Sequence, residues 1–210
     1  MEPYVVRTGD HLALIGHRLG FDPDAVWNDP ANAKLKALRG NPNILRCGDV
    51  LYVPTRQKVW LSVRLGTTNR FVATVPKTSL SLTFLQAGMP VSGASCVVHG
   101  LSPPNQFTTD ANGKLTLTVP LTLQALVVEF PKVPLVRQVL IGHLDPITEP
   151  NGVLQRLRSL GHVSPRTIVD PSDAEAVGRV VRAFQRARGL ALTGTVDDAT
   201  RAALKQAHGC

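Results

Sequence analysis

Apolar positions along the chain follow three successive rhythms. In the first, short apolar runs at Tyr4-Val5-Val6 and Val50-Leu51-Tyr52-Val53 bracket a stretch of helical period. Leu12, Ile15 and Leu19 share one helix face, Gly20 follows as a stop signal, and Asp10 stands where an N-cap is expected. Asp22 or Asp24, with Pro23 in the first turn, predicts a second helix through Val26 and Trp27. Ala33 to Leu38 adds helical residues before Gly40. The reading for this part is β-α-α-β with the two strands paired.

From about Val59 to Leu140 the period shortens to two. Alternating runs at Ser81-Phe84, Ala94-Val98, Gln106-Thr109, Lys114-Val119 and Ala125-Phe130 are separated by turn markers such as Gly88-Met89-Pro90 and Asp110-Ala111-Asn112-Gly113. Short strands at this spacing predict a β-sandwich. Beyond Asp145 the helical period returns. Val153, Leu154, Leu157 and Leu160 form one face, and Val177, Val180, Val181 and Phe184 a second. Asp170-Pro171-Ser172-Asp173 reads as a cap with proline at the first helical position, and Asp197 or Asp198 as the cap of a last helix through Leu204. The fold class expected is therefore multidomain α+β, divided at 1–55, 59–141 and 142–210.

Composition narrows the function classes. The net charge of +8 is spread as +2, +4 and +2 over Met1–Lys58, Val59–Ile141 and Gly142–Cys210, so no segment is a basic arm. With an aromatic content of 5%, this argues against nucleic acid as a partner. No apolar run approaches the ~20 residues needed to span a bilayer, so no membrane insertion is expected. Cys47, Cys96 and Cys210 are widely spaced, without CxxC, and predict neither a disulfide framework nor a zinc cluster. The first ten residues lack the basic and apolar regions of a secretory signal. The expectation from this is synthesis in the bacterial cytoplasm, with any delivery to the periplasm or cell wall made by a secretion apparatus.

Three resemblances rest on particular residues. Tyr4-Val5-Val6-Arg7-Thr8-Gly9-Asp10-His11-Leu12 and Asn41-Pro42-Asn43-Ile44-Leu45-Arg46-Cys47-Gly48-Asp49-Val50-Leu51-Tyr52-Val53-Pro54 resemble the opening and closing stretches of a LysM domain. The stretch Asn28 to Gly40 is longer than that family usually has. The resemblance implies a shallow groove for N-acetylglucosamine-containing glycans, lined by Gly9, Asp10, His11 and Leu12 on one side and Pro42, Asn43, Ile44 and Leu45 on the other. Gly9 and Asp10 also fit turn and cap roles, and Leu12 and Ile44 also fit a core.

Val153-Leu154-Gln155-x-Leu157, Val180-x-x-x-Phe184-Gln185-x-x-x-Gly189-Leu190 and Thr193-Gly194-x-Val196-Asp197, with Thr200 and Leu204, resemble the three-helix peptidoglycan-binding domain of cell-wall hydrolases. That resemblance makes Gln155, Arg182, Gln185 and Asp197 candidates for a second glycan site; a structural hydrogen bond is the alternative for the glutamines. Gly88-x-Pro90-Val91-x-Gly93-x-x-Cys96-x-Val98 followed by Thr109-Asp110-Ala111-Asn112-Gly113 resembles the transthyretin-like sandwiches, which act mostly as spacers or contact surfaces.

No HExxH, GxSxG, Walker loop or GxGxxG occurs, and the six histidines show no metal-ligand spacing. Ala207-His208-Gly209-Cys210 echoes the Ser-His-Gly-Cys of L,D-transpeptidases, but at the end of a helix it lacks the enclosing pocket a thiolate nucleophile requires. The expectation is a non-enzymatic protein without cofactor or metal, binding peptidoglycan glycan strands. Its arrangement resembles proteins associated with type VI and related contractile secretion systems, where a spike protein or effector is the further expected partner. The rival expectation is an adaptor or chaperone that binds such a partner through its LysM and helical modules.

Overall fold

The computed structural model describes residues 1–55, 60–72, 74–86, 88–103, 105–164 and 167–210. The chain forms two compact units, Met1–His143 and Leu144–Cys210, so the first two expected domains lie within one unit.

At the start of the first unit, strand β1 (Glu2–Val5) pairs antiparallel with β2 (Val50–Val53), Glu2 opposite Val53 and Val5 opposite Val50. Between them run helices α1 (Leu12–Leu19), α2 (Pro23–Trp27) and α3 (Ala33–Arg39). Three helices stand where the β-α-α-β reading has two, because a short 3-10 turn at Pro30–Asn32 separates α2 from the helical residues of Ala33–Arg39. The apolar faces meet in a core of Val6, Leu12, Ile15, Val26, Trp27, Leu35, Leu45, Leu51 and Val53. Complete burial of each large aliphatic side chain contributes about 1.5–3 kcal/mol.

The N-cap of α1 is a correction to the sequence reading. His11, not Asp10, caps the helix, its Nδ1 accepting the Leu14 N–H at 3.4 Å. Asp10 is engaged elsewhere: Oδ2 accepts the Tyr4 hydroxyl at 2.7 Å and the Arg7 N–H at 3.0 Å, while Oδ1 accepts from Arg18 at 2.8 Å. A carboxylate offered a guanidinium, a phenol and an amide is better satisfied there than by one helix N–H.

Strands β3 (Lys77–Thr83), β4 (Leu85–Gln86), β5 (Met89–Pro90), β6 (Ser95–His99), β7 (Gln106–Thr108), β8 (Lys114–Pro120), β9 (Ala125–Phe130) and β10 (Leu135–Leu140) complete the first unit. They form a four-stranded sheet in the order β10-β9-β6-β7 and the pairs β3-β8 and β4-β5, all antiparallel. Alternation along β8 buries Leu115, Leu117 and Val119 against Val98, Leu126, Val128 and Phe130 of the four-stranded sheet. Phe84 meets Phe130 edge to face, with ring centroids 5.0 Å apart. Gly113 closes the β7-β8 turn at φ 73°, where a Cβ would lie 2.6 Å from the Phe84 carbonyl oxygen.

The second unit packs α4 (Pro150–Ser159), α5 (Ala174–Ala187) and α6 (Asp198–His208) around Leu154, Leu157, Val181, Phe184 and Leu204. Asp173 caps α5 through the Ala176 N–H and Asp197 caps α6 through the Thr200 N–H. Pro171 therefore lies ahead of α5 rather than at its first position. Each such cap contributes about 1 kcal/mol. No helix among the described residues is long and apolar enough to cross a membrane.

Candidate functional site

The two loops of the expected groove do meet. The Leu12 N–H donates to the Pro42 carbonyl at 3.1 Å, and the side chains of His11 and Asn43 are hydrogen-bonded. Leu12 and Leu45 belong to the core, whereas Ile44 is half-buried and Asn43 exposed. The Asn41 side chain accepts the Asn43 N–H at 2.9 Å and holds this loop in a tight turn.

The other side of the groove is covered. Asp10 and His11 are only 3% and 9% exposed, and Gly9 is buried. Around Gly9 stand Gln124 and His143, and Gly142, at φ 77°, lies so close that a Cβ there would collide with the Gly9 carbonyl oxygen. What remains is a pocket of about 210 Å³ between His11, Ala13 and Asn43 and the sandwich residues Thr78, Ser79, Val119, Leu121, Leu123 and Ile141. Burial pushes the His11 pKa below its ordinary value; the Asn43 hydrogen bond and Asp10 oppose this, and Arg18 reinforces it. His11 is thus held neutral as an acceptor for its helix.

In the second unit, three of the four expected site residues are tied into the fold. Gln185 is fully buried: its Nε2 donates to Thr193 Oγ1 at 2.8 Å, Thr200 Oγ1 at 2.9 Å and the Thr195 carbonyl at 3.0 Å, while its Oε1 accepts the Gly194 N–H at 3.0 Å. Gln155 Oε1 accepts the Asp145 N–H at 2.7 Å. Asp197, as the α6 cap, has its carboxyl pKa lowered chiefly by its hydrogen bonds with Thr200. Arg182 alone remains available, half-buried beside Gly178 and Gly194.

Arg156 was not singled out in the sequence, where it is the variable residue of Gln155-x-Leu157. It is 1% exposed, donating from Nε to the Cys210 carbonyl at 3.0 Å and from Nη1 to the carbonyls of Asp145 and Gly152, each at 2.8 Å. Only the apolar positions around it mark this stretch as core; nothing in an amphipathic pattern announces a buried guanidinium that gathers carbonyls. His208 Nδ1 lies 3.0 Å from Cys210 Sγ. Desolvation raises the thiol pKa despite Arg156, and burial lowers that of His208. Both shifts oppose the thiolate–imidazolium pair that a cysteine nucleophile uses.

Residues 153–204 match the family model described as "Putative peptidoglycan binding domain". The match takes in most of α4, the whole of α5 and α6 as far as Leu204. A search of the curated proteins found no match, and a search of the solved structures found none. The helical unit is thus similar to a peptidoglycan-binding domain, and the match supports peptidoglycan as a partner. Among the described residues, no group of three His, Cys, Asp or Glu side chains is placed to hold a metal ion.

Proposed function

We propose that this protein is a non-enzymatic peptidoglycan-binding protein that serves as an accessory or cargo of a contractile secretion apparatus of the type VI kind. The observation that carries the binding reading is the match of residues 153–204, which coincides with a complete helical unit possessing its own core. The LysM resemblance supports a second, weaker glycan contact in the first unit, through Asn43, Ile44 and the pocket beside His11. Two weak sites on one chain raise affinity for a polymer well above either alone, provided both reach it. The secretion role rests on the resemblance of the domain arrangement, with the protein made in the cytoplasm and delivered to the wall.

A second reading is favoured by two observations in the first unit. The sandwich covers the Gly9 to His11 side of the groove, and Trp60, Leu61, Val63, Leu65, Phe71 and Val72 are all more than half exposed within thirteen residues. An exposed apolar run of this density supports a protein contact there, which suits an adaptor that holds a spike protein or effector. Capture experiments from the producing bacterium, run beside binding to purified sacculi, separate the readings. Sacculus binding without a stoichiometric protein partner supports the first; a stoichiometric partner with no sacculus binding supports the second.

A further inference from the structure

The arginines of the second unit differ in what holds them. Arg156 is bound by carbonyls, Arg179 pairs with Glu175, Arg201 with Asp198, and Arg188 lies over the Phe184 ring at 5.8 Å. Arg182 has neither ion pair nor hydrogen bond among the described residues, yet it does not extend freely into solvent. Its guanidinium is laid across Gly194, where a Cβ would collide with Nη1 and lie 3.1 Å from Cζ, and a Cβ at Gly178 would lie 3.6 Å from Nη1. The notch exists because both positions lack a side chain. Gly194 adopts φ 73° and is fixed from beneath by the buried amide of Gln185.

We propose that Arg182 binds a carboxylate of the peptide stems of peptidoglycan. This rests on the peptidoglycan reading above and deepens it by naming which part of the polymer the helical unit contacts. A guanidinium presents five N–H donors in a planar fork that matches a carboxylate in bidentate geometry. Here one face of the fork lies against glycine backbone and the other is left for a ligand. The sugars of the glycan strand carry hydroxyl and acetamido groups that gain nothing particular from a cation. Stem peptides carry free carboxylates, which do. Gln185 and the Thr193-Gly194-Thr195 loop hold the notch and act as positioning groups.

The test is a titration of the full chain with a soluble stem pentapeptide and with the same peptide amidated at its carboxylates, followed by amide chemical shifts, beside sedimentation with intact sacculi. The expected result is a saturable response at Gly178, Arg182 and Gly194, weakened about ten-fold or more by amidation or by Arg182→Gln, as loss of a charge-assisted bidentate pair implies. Arg182→Lys weakens it too, because the charge remains but the fork is lost. Arg158→Gln, an exposed arginine on α4, controls for net charge and leaves the response unchanged. Sacculus binding with no response to the peptide, or equal losses in Arg182→Gln and Arg158→Gln, overturns this inference and leaves the proposed function standing. Failure to bind both peptide and sacculi contradicts the two together.

Discussion

The side-chain amide of Asn32 pairs with the backbone of Tyr52 in the manner of an added strand residue. Asn32 Oδ1 accepts the Tyr52 N–H at 2.8 Å and Nδ2 donates to the Tyr52 carbonyl at 2.8 Å. Nδ2 also donates to the Val26 carbonyl at 2.9 Å, and the side chain is 1% exposed. The stretch between α2 and α3 is in this way fastened to the outer edge of β2. Asn32→Ala removes all three bonds and strands two carbonyls and an amide, a loss of about 2–4 kcal/mol. Urea unfolding followed by the fluorescence of buried Trp27 measures it; a loss under about 0.5 kcal/mol contradicts the role, being within the range of a neutral surface change.

Gln185 is the corresponding hub of the second unit. Gln185→Leu keeps the volume but leaves Thr200, the Gly194 N–H and the Thr195 carbonyl without their partner. The expected cost is about 3 kcal/mol, read as a lower thermal midpoint of the transition that contains the helical unit. Because the hub sets the Gly194 loop, sacculus binding weakens as well.

His11 gives the first unit an acid-side dependence. Its folded pKa lies below the ordinary value of 6.5, so as pH falls the unfolded chain takes up the proton first. Stability from this group is unchanged above about 6.5, falls as pH drops through the folded pKa, and levels below it. Protonation also turns the Nδ1 acceptor of the Leu14 N–H into a donor. His11→Asn keeps an N-cap acceptor and abolishes this contribution. Urea midpoints at pH 7.5 and pH 5 measure the difference between wild type and variant, and an identical acid-side loss in both refutes it.

Gly142 holds the sandwich against the groove loop. A methyl group there collides with the Gly9 backbone and also disfavours the positive φ. Gly142→Ala must displace one backbone from the other, at a cost of about 1–3 kcal/mol. Faster amide exchange at Gly9 and Asp10 is the expected signature; unaltered exchange there shows that the contact does not cover the groove.

Much of the local architecture was legible because it follows from period and punctuation. The 3.6-residue spacing of Leu12, Ile15 and Leu19, the alternation along Lys114–Pro120, and the cap candidates Asp22 or Asp24 and Asp197 or Asp198 are one-dimensional signals, of which the structure uses Asp22 and Asp197; the third cap stands at Asp173, past the Pro171 that was expected to open the helix. Asp10 was misread as a cap because its ordinary role in that position is overridden by Tyr4 and Arg18, and a sequence does not display that competition. Strand β10 was not singled out among the alternating runs; it begins directly after Pro134, at Leu135, and its residues are mostly exposed, so its alternation is weak. The candidate site was less legible than the fold. Periodicity marks Gln185 and Gln155 as inward-facing polar residues without saying whether they meet ligand or backbone. The cover over Gly9 arises between stretches more than a hundred residues apart, which no local pattern encodes.

The central claim, that the chain binds peptidoglycan, is tested most directly by equilibrium sedimentation of the full protein with purified sacculi. The account predicts saturable co-sedimentation that is weakened by Arg182→Gln. A protein that stays entirely in the supernatant, while a known peptidoglycan binder pellets under the same conditions, contradicts it.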